Sequence, residues 1–213
     1  MAEAPDPNTA ADLNTSLDES SEMLMNEQDP EIQHIICETE NVFNNFMIRR
    51  LQSEIEEDCE EGELDAAHWD STHTRALTRM QEAHCHCTER EDQSGIDKEQ
   101  LAKLGALLAA NGDEIQHKYR RDFQEMISLL DFTSVFNFED FAKVARRLFA
   151  EGGINMGRIV ALFCFGYEIA VSVLKAGIHG VIGFMKKICK FILRFFLTDG
   201  IARWISDRGG WVR

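Results

Sequence analysis

Residues 148–200 read LFAEGGINMGRIVALFCFGYEIAVSVLKAGIHGVIGFMKKICKFILRFFLTDG, and this stretch decides the fold class. Glu151-Gly152-Gly153 stops a preceding helix, because glycine takes the left-handed exit without a Cβ clash. From Met156 to Lys175 the apolar residues Ile159, Val160, Leu162, Phe163, Phe165, Ile169, Val171, Val173 and Leu174 leave almost no polar face. A helix of that kind belongs at the centre of a bundle. Burying eight of these nine side chains at ~1.5–3 kcal/mol each gives roughly 12–24 kcal/mol of gross stabilisation, an upper bound. Gly177 to Gly180 supplies a turn. A second apolar helix then runs from Val181 to Leu197, with Lys186, Lys187, Lys190 and Arg194 set among Phe184, Ile188, Phe191, Ile192, Phe195 and Phe196. Thr198-Asp199-Gly200 breaks it. The pattern predicts a buried hairpin of two helices.

Outward from this hairpin the periodicity stays helical. Asp29-Pro30-Glu31 is a helix start, with a capping oxygen, proline at the first position and an acid facing the positive dipole end. Behind it Ile32, Ile35, Ile36, Val42, Phe43, Phe46, Met47, Leu51 and Ile55 recur at helical spacing, so a helix is expected over 31–55, ending in the acidic run Glu56–Glu63. Asp97 to Gln100 is a capping-box pattern, followed by Leu101, Leu104, Leu108, Ile115, Tyr119 and Phe123 on one face and a separate short segment Phe123–Leu130. Thr133 or Ser134 is the expected cap of the next helix, with Phe138, Phe141, Ala145, Leu148 and Phe149 inside and Lys143, Arg146 and Arg147 outside. Beyond Gly200 a short helix Ile201–Ser206 ends at Gly209-Gly210-Trp211. No segment keeps the strand period. The expectation is an all-α domain over 29–213, an apolar central helix hairpin surrounded by amphipathic helices.

Charge is distributed unevenly. The chain has 213 residues, 22 basic and 37 acidic, for a net −15. Residues 1–100 hold 26 of the acids and 6 of the bases, whereas 12 of the 14 phenylalanines lie beyond residue 100. Residues 1–28 are polar and acidic, too poor in apolar groups to offset chain entropy, and read as a disordered leader. Residues 57–95 read as a flexible acidic loop. The weakly basic C-terminal half argues against a nucleic-acid partner. The N-terminus has neither the charge nor the apolar run of a secretory or transit signal. Six scattered cysteines read as reduced thiols. No apolar run reaches the ~18–20 residues that span a bilayer, the best, Ile159 to Tyr167, being cut by Glu168.

Three segments, in order, resemble the Bcl-2 family. Leu104-x3-Leu108-x3-Gly112-Asp113-Glu114-Ile115 is similar to the family's third homology motif: apolar anchors one turn apart, a small residue, an aspartate. Leu148 to Leu162, with Asn155-Met156-Gly157-Arg158 at its centre, is similar to the first motif. Gly200-Ile-Ala-Arg-Trp204 through Gly209-Gly210-Trp211 is similar to the second. With the helix at 31–55 in the place of the family's first helix, the resemblance covers about residues 30–213, and its details favour the pro-apoptotic, pore-forming branch. Two positions depart from the pattern. Asn111 stands where a bulky anchor is usual and Met156 where tryptophan is usual. Either the helix inserts more weakly or Leu101 compensates.

The resemblance implies a Bcl-2-like bundle whose groove, bordered by Phe149, Asn155, Met156, Gly157, Arg158 and Ile159, receives an amphipathic third-motif helix from another family protein. Arg158 is then the residue that pairs with the motif aspartate of the incoming helix, and the alternative is that it merely caps local carbonyls. The helix carrying Leu101, Leu104, Leu108, Asn111, Gly112, Asp113 and Ile115 packs inward at rest and swings out on activation to enter a second copy. Asp113→Arg is expected to abolish that self-association and to leave the resting monomer folded. Trp204, Gly209, Gly210 and Trp211 form the second-motif ending. Homodimers or larger homo-oligomers and the lipid of the mitochondrial outer membrane are the other implied partners. The implied location is that membrane's cytosolic face, with a soluble cytosolic form.

Phe184, Lys186, Lys187, Lys190, Phe191, Arg194 and Phe195 suit an interfacial helix on an anionic bilayer, or a bundle helix with one solvated basic edge. The apolar anchor helix usual after the third matched segment is missing from the 213 residues, as a truncation or a soluble variant would explain. No cofactor is expected and no pairing of nucleophile and base indicates an enzyme. His84-Cys85-His86-Cys87, with His68 and His73 nearby, lacks ordinary structural zinc spacing, so no metal site is assigned.

Overall fold

The computed structural model describes residues 29–61, 98–130, 136–175 and 181–211. The expected leader, most of the expected acidic loop with His68, His73 and the His84–Cys87 cluster, the Asp97 cap, Thr133, Ser134 and the Gly177–Gly180 turn lie outside them. Among the described residues there are six α-helices and no strand. They are α1 (Pro30–Glu61), α2 (Lys98–Ser128), α3 (Phe138–Ala145), α4 (Met156–Lys175), α5 (Val181–Thr198) and α6 (Ile201–Ser206), with a 3-10 turn, Arg146–Phe149, after α3.

Helix α1 begins as its cap predicts, the Asp29 carboxylate accepting the Glu31 N–H at 3.1 Å. It ends later than expected, at Glu61 rather than near residue 55. Glutamate is a good helix former, and each added residue continues the hydrogen-bond ladder. Those gains outweigh the ~0.3–1 kcal/mol that an acid costs near a helix C-terminus. Helix α2 is likewise longer than expected and absorbs most of the Phe123–Leu130 segment. Its continuity is interrupted at Tyr119, which leaves helical geometry at φ −109°, ψ 18°. The break turns the inner face, so Phe123 and Met126 are buried while Tyr119, expected on that face, is exposed.

The cap of α3 is Asn137, not Thr133 or Ser134. Its side-chain oxygen accepts the Asp140 N–H at 3.0 Å, and its amide donates to the Asp140 carboxylate at 2.7 Å. An asparagine directly before an apolar residue, with an acid three positions on, resembles the capping box, except that the acid accepts from the asparagine's side-chain amide instead of its backbone N–H. Gly152 (φ +129°) and Gly153 (φ +71°) end the next turn, and Gly200 (φ +77°) separates α5 from α6, as their composition requires.

The centre of the bundle is α4. Ile159, Leu162, Phe163, Cys164, Phe165 and Ile169 are all fully buried. Phe163 meets Phe43 of α1 at 5.0 Å, Phe46 at 5.6 Å and Phe196 of α5 at 5.9 Å between ring centroids, with tilted or stacked planes that suit aromatic quadrupoles. Gly166 sets the approach of α5, since a Cβ there would lie 2.7 Å from Ile192 Cδ1. By length and composition Met156–Val173, 18 residues of mean hydropathy 1.6, is long and apolar enough to cross a membrane despite Glu168. That corrects the reading from run length alone. Two-thirds of that stretch is buried inside the bundle, which is the position of a core helix.

Candidate functional site

The third-motif helix faces inward. Leu101, Gly105, Leu108, Ala109 and Gly112 of α2 are buried, while Leu104 and Ile115 are partly buried against the core. Small residues at 105, 109 and 112 let the helix sit low on α1 and α4. A Cβ at Gly105 would stand 2.6 Å from Asn45 Cβ and 2.8 Å from the Val42 carbonyl oxygen. At Gly112 it would meet Cys164 Sγ at 3.1 Å and the Phe46 ring at 3.2 Å. Asn111 is exposed, so in this state it fills no apolar pocket and carries no burial cost. Its neighbour Leu107 is 59% exposed.

Polar contacts clasp the same helix from two sides. Asp113 accepts a hydrogen bond from the Arg50 guanidinium of α1. Arg50 is itself buried and lies over the Tyr167 ring of α4 at 4.9 Å. Gln116 donates to the Glu168 carboxylate of α4. Between these, the Cys164 thiol donates to the Gly112 carbonyl at 3.6 Å, and burial pushes that thiol up to about 12. At neutral pH it is a protonated donor. Arg50 and Gly105 were not singled out from sequence. The available signals were a cation in register with Phe43, Phe46 and Met47, and glycine or alanine at i, i+4 and i+7 of a helix.

Arg158 and Asp113 are not brought together. Arg158 occupies the first turn of α4, where Asn155 acts as cap, its side-chain oxygen accepting the Arg158 N–H at 3.0 Å. The Arg158 guanidinium donates through Nη2 to the Glu151 carbonyl. The local-carbonyl role is therefore the observed one in this conformation. Asp113→Arg would also set a second cation against Arg50, so that substitution perturbs the resting α1–α2 contact as well as any pairing with a second copy. Of the remaining groove positions, Phe149 is partly buried with its ring 5.8 Å from Phe195, Met156 and Gly157 are exposed, and Ile159 is core.

The second-motif ending folds back on α1. Gly209 (φ +89°) and Gly210 (φ +93°) reverse the chain. Trp211 then stacks at 6.0 Å on Phe163 and donates its indole N–H to the buried Thr39 hydroxyl at 2.8 Å. The Trp211 backbone N–H reaches the buried Glu38 carboxylate at 3.4 Å. Trp204 is partly buried under the Arg208 guanidinium, which stands 3.8 Å from its centroid.

On α5 the membrane candidates divide. Phe191 and Phe195 are buried and Phe184 is half-buried, so these aromatics are core in this conformation rather than lipid-facing. Their hydrophobicity is already used against Phe136, Phe138 and Phe141. Lys187 lies over the Phe136 and Phe191 rings at 5.9 and 5.7 Å, and burial lowers its pKa. Arg194 stacks on Phe138 at 4.1 Å and faces Glu139 at 3.9 Å. Lys186 and Lys190 are exposed.

Comparison with known proteins points to the same family. Residues 108–211 match the family model described as apoptosis regulator proteins, Bcl-2 family. Human Bcl-2 homologous antagonist/killer (Bak) is 44% identical over 112 residues, 53% of this chain and 51% of that protein. Chicken Bcl-2-like protein 1 is 35% identical over 102 residues, covering 48% of this chain and 42% of its own. Dog apoptosis regulator Bcl-2 is 36% identical over 104 residues, covering 49% and 42%. The chain spans about half the length of the curated relatives it matches. On an all-α bundle, these matches assign residues 108–211 to the Bcl-2 family of apoptosis regulators.

Proposed function

We propose that this chain is a pro-apoptotic effector of the family, resembling Bak. A third-motif helix from another family protein docks in the groove beside Arg158. Helix α2 is then released, two copies exchange these helices, and the assembled protein permeabilises the mitochondrial outer membrane from its cytosolic face. The role is regulatory and needs no cofactor. One observation carries the reading: the third-motif helix is stored against α1 and α4 by contacts that can be exchanged, Asp113 with Arg50 and Gln116 with Glu168. An effector that must present this helix requires such a reversible clasp. The exposed Lys186 and Lys190 of α5 offer first contact with anionic headgroups, while the half-buried Phe184 and the buried Phe191 and Phe195 become fully available to lipid only after the bundle opens.

Matches to Bcl-2-like protein 1 and to apoptosis regulator Bcl-2 favour a second reading, a survival-type relative that sequesters third-motif helices without making pores. Dye release from liposomes of mitochondrial lipid composition separates the two, with the full chain tethered to the surface and an activating helix peptide added. Release that depends on the peptide is expected of the effector. Saturable peptide binding without release would refute it in favour of the second reading.

A further inference from the structure

The surroundings of Arg158 contain a competitor for the partner helix. The Glu151 carbonyl sits on Arg158 Nη2, while Nη1 is buried without a hydrogen-bond partner among the described residues. The carbonyl reaches that place because the chain reverses through Gly152 at φ +129°, a backbone region open essentially to glycine alone. The missing side chain matters as well, since a Cβ on Gly152 would lie 3.3 Å from Nη2 and 3.8 Å from Cζ. The Asn155 cap fixes the arginine backbone from the other side. A carbonyl oxygen carries no full charge and engages one guanidinium nitrogen here, whereas a carboxylate is charged and can engage two in parallel. A carboxylate is therefore the stronger partner and can displace the carbonyl.

We propose that the Glu151–Gly153 turn is an internal mask on the groove arginine, which must open before a helix bearing an aspartate can pair with Arg158. This rests on the groove reading above and adds to it a gate, built by Gly152, that sets affinity and rate of docking.

The test uses the full chain and a labelled synthetic peptide of residues 98–120, alongside the same peptide with Asp113→Asn. Gly152→Ala strains the turn and crowds Nη2, so it should bind the aspartate peptide roughly 5- to 30-fold more tightly than the unsubstituted chain. The asparagine peptide should show no such gain. Equal affinity of both chains for the aspartate peptide overturns the mask and leaves the groove reading standing. An equal gain with both peptides also overturns it, since general loosening would do that. Absence of binding by either chain, or binding that Arg158→Ala leaves unchanged, removes groove and mask together. If Gly152→Ala does not fold by circular dichroism, stopped-flow association on the unsubstituted chain decides. The observed rate should level off at high peptide concentration, because opening comes first, and a rate rising linearly throughout overturns the proposal.

Discussion

Replacing Gly105 by alanine separates two effects that oppose each other in α2. Alanine is favoured over glycine in a helix interior by about 0.8–1 kcal/mol. Against this, the new Cβ would stand 2.6 Å from Asn45 Cβ and 2.8 Å from the Val42 carbonyl, where ordinary contact needs 3.4–4 Å. The obstructing atoms belong to backbone and to a first side-chain carbon, which cannot rotate away, so α1 and α2 must part. Overpacking of this kind costs about 1–3 kcal/mol, and rigid neighbours place it in the upper half of that range. The net expectation is a loss of about 1–2 kcal/mol, which lowers the melting temperature by roughly 2–8 °C for a chain of this size. Thiol labelling at Cys164, read by peptide mass spectrometry, reports the seam directly because Cys164 lies beneath Gly112. Its rate should rise about 5- to 30-fold. Gly112→Ala meets only side-chain atoms at 3.1–3.4 Å and should cost less. A melting temperature unchanged or raised by Gly105→Ala, or the reverse order of the two substitutions, refutes the packing argument.

Three further outcomes follow from the same contacts. Asp113→Asn should destabilise the resting fold by about 1–2 kcal/mol, discounted from the larger cost of a fully buried pair because the Asp113 side chain is 65% exposed, and urea midpoints should show the difference shrinking in 1 M salt. Cys164 makes stability pH-dependent: its folded pKa of about 12 lies above the ordinary 9.0, so its contribution is complete below pH 9 and is lost as pH rises toward 12. Between pH 7 and 10 the unsubstituted chain should lose about 1–1.5 kcal/mol relative to Cys164→Ala, and parallel urea curves at the two pH values test this. Trp211→Phe keeps the stacking on Phe163 but removes the donor to Thr39, for a loss of about 0.5–1.5 kcal/mol. Adding Thr39→Val should cost less than the two single changes summed, and additive losses would mean that the indole bond contributes nothing.

The hairpin was legible because nothing in it is ambiguous. Helix α4 has apolar residues all round, glycines close both flanks, and the observed bounds of α4 match those read from the sequence. Helix ends where local terms compete were less legible. The acidic run beyond Ile55 reads as a stop by dipole reasoning, yet the helix continues to Glu61. Thr133, Ser134 and Asn137 all offer a capping oxygen ahead of α3, and it is the spacing of Asn137 to Asp140 that carries the signal. The kink at Tyr119 has no sequence mark of the usual kind, neither proline nor glycine. Among site residues, the burial of Leu108 and Gly112 follows from periodicity. The partner of Asp113 does not, because Arg50 lies 63 positions away and only the packing of α1 on α2 brings it close. Arg158 was placed correctly on the first turn of α4, but its bond to Glu151 depends on a glycine dihedral that composition does not specify.

On the proposed reading, one set of side chains must be stable in two places. Leu101 and Leu108 are buried against the core at rest, and at ~1.5–3 kcal/mol each their exposure alone would make a released α2 rare. In the groove of a second copy the same leucines are buried again, so the hydrophobic contribution nearly cancels between the two states. What remains is the difference between polar partners. At rest Asp113 has Arg50, Gln116 has Glu168 and the Gly112 carbonyl has Cys164. In the docked state Asp113 would have Arg158, once the Glu151 carbonyl is displaced. These are contributions of about 0.5–3 kcal/mol each, small beside the apolar burial and comparable with one another. A balance of that size can be tipped by one bound helix, because a ligand need only prefer one state by a few kcal/mol to reverse the populations. The apolar stripe therefore makes the exchange possible, and the charged and hydrogen-bonding residues beside it set its direction.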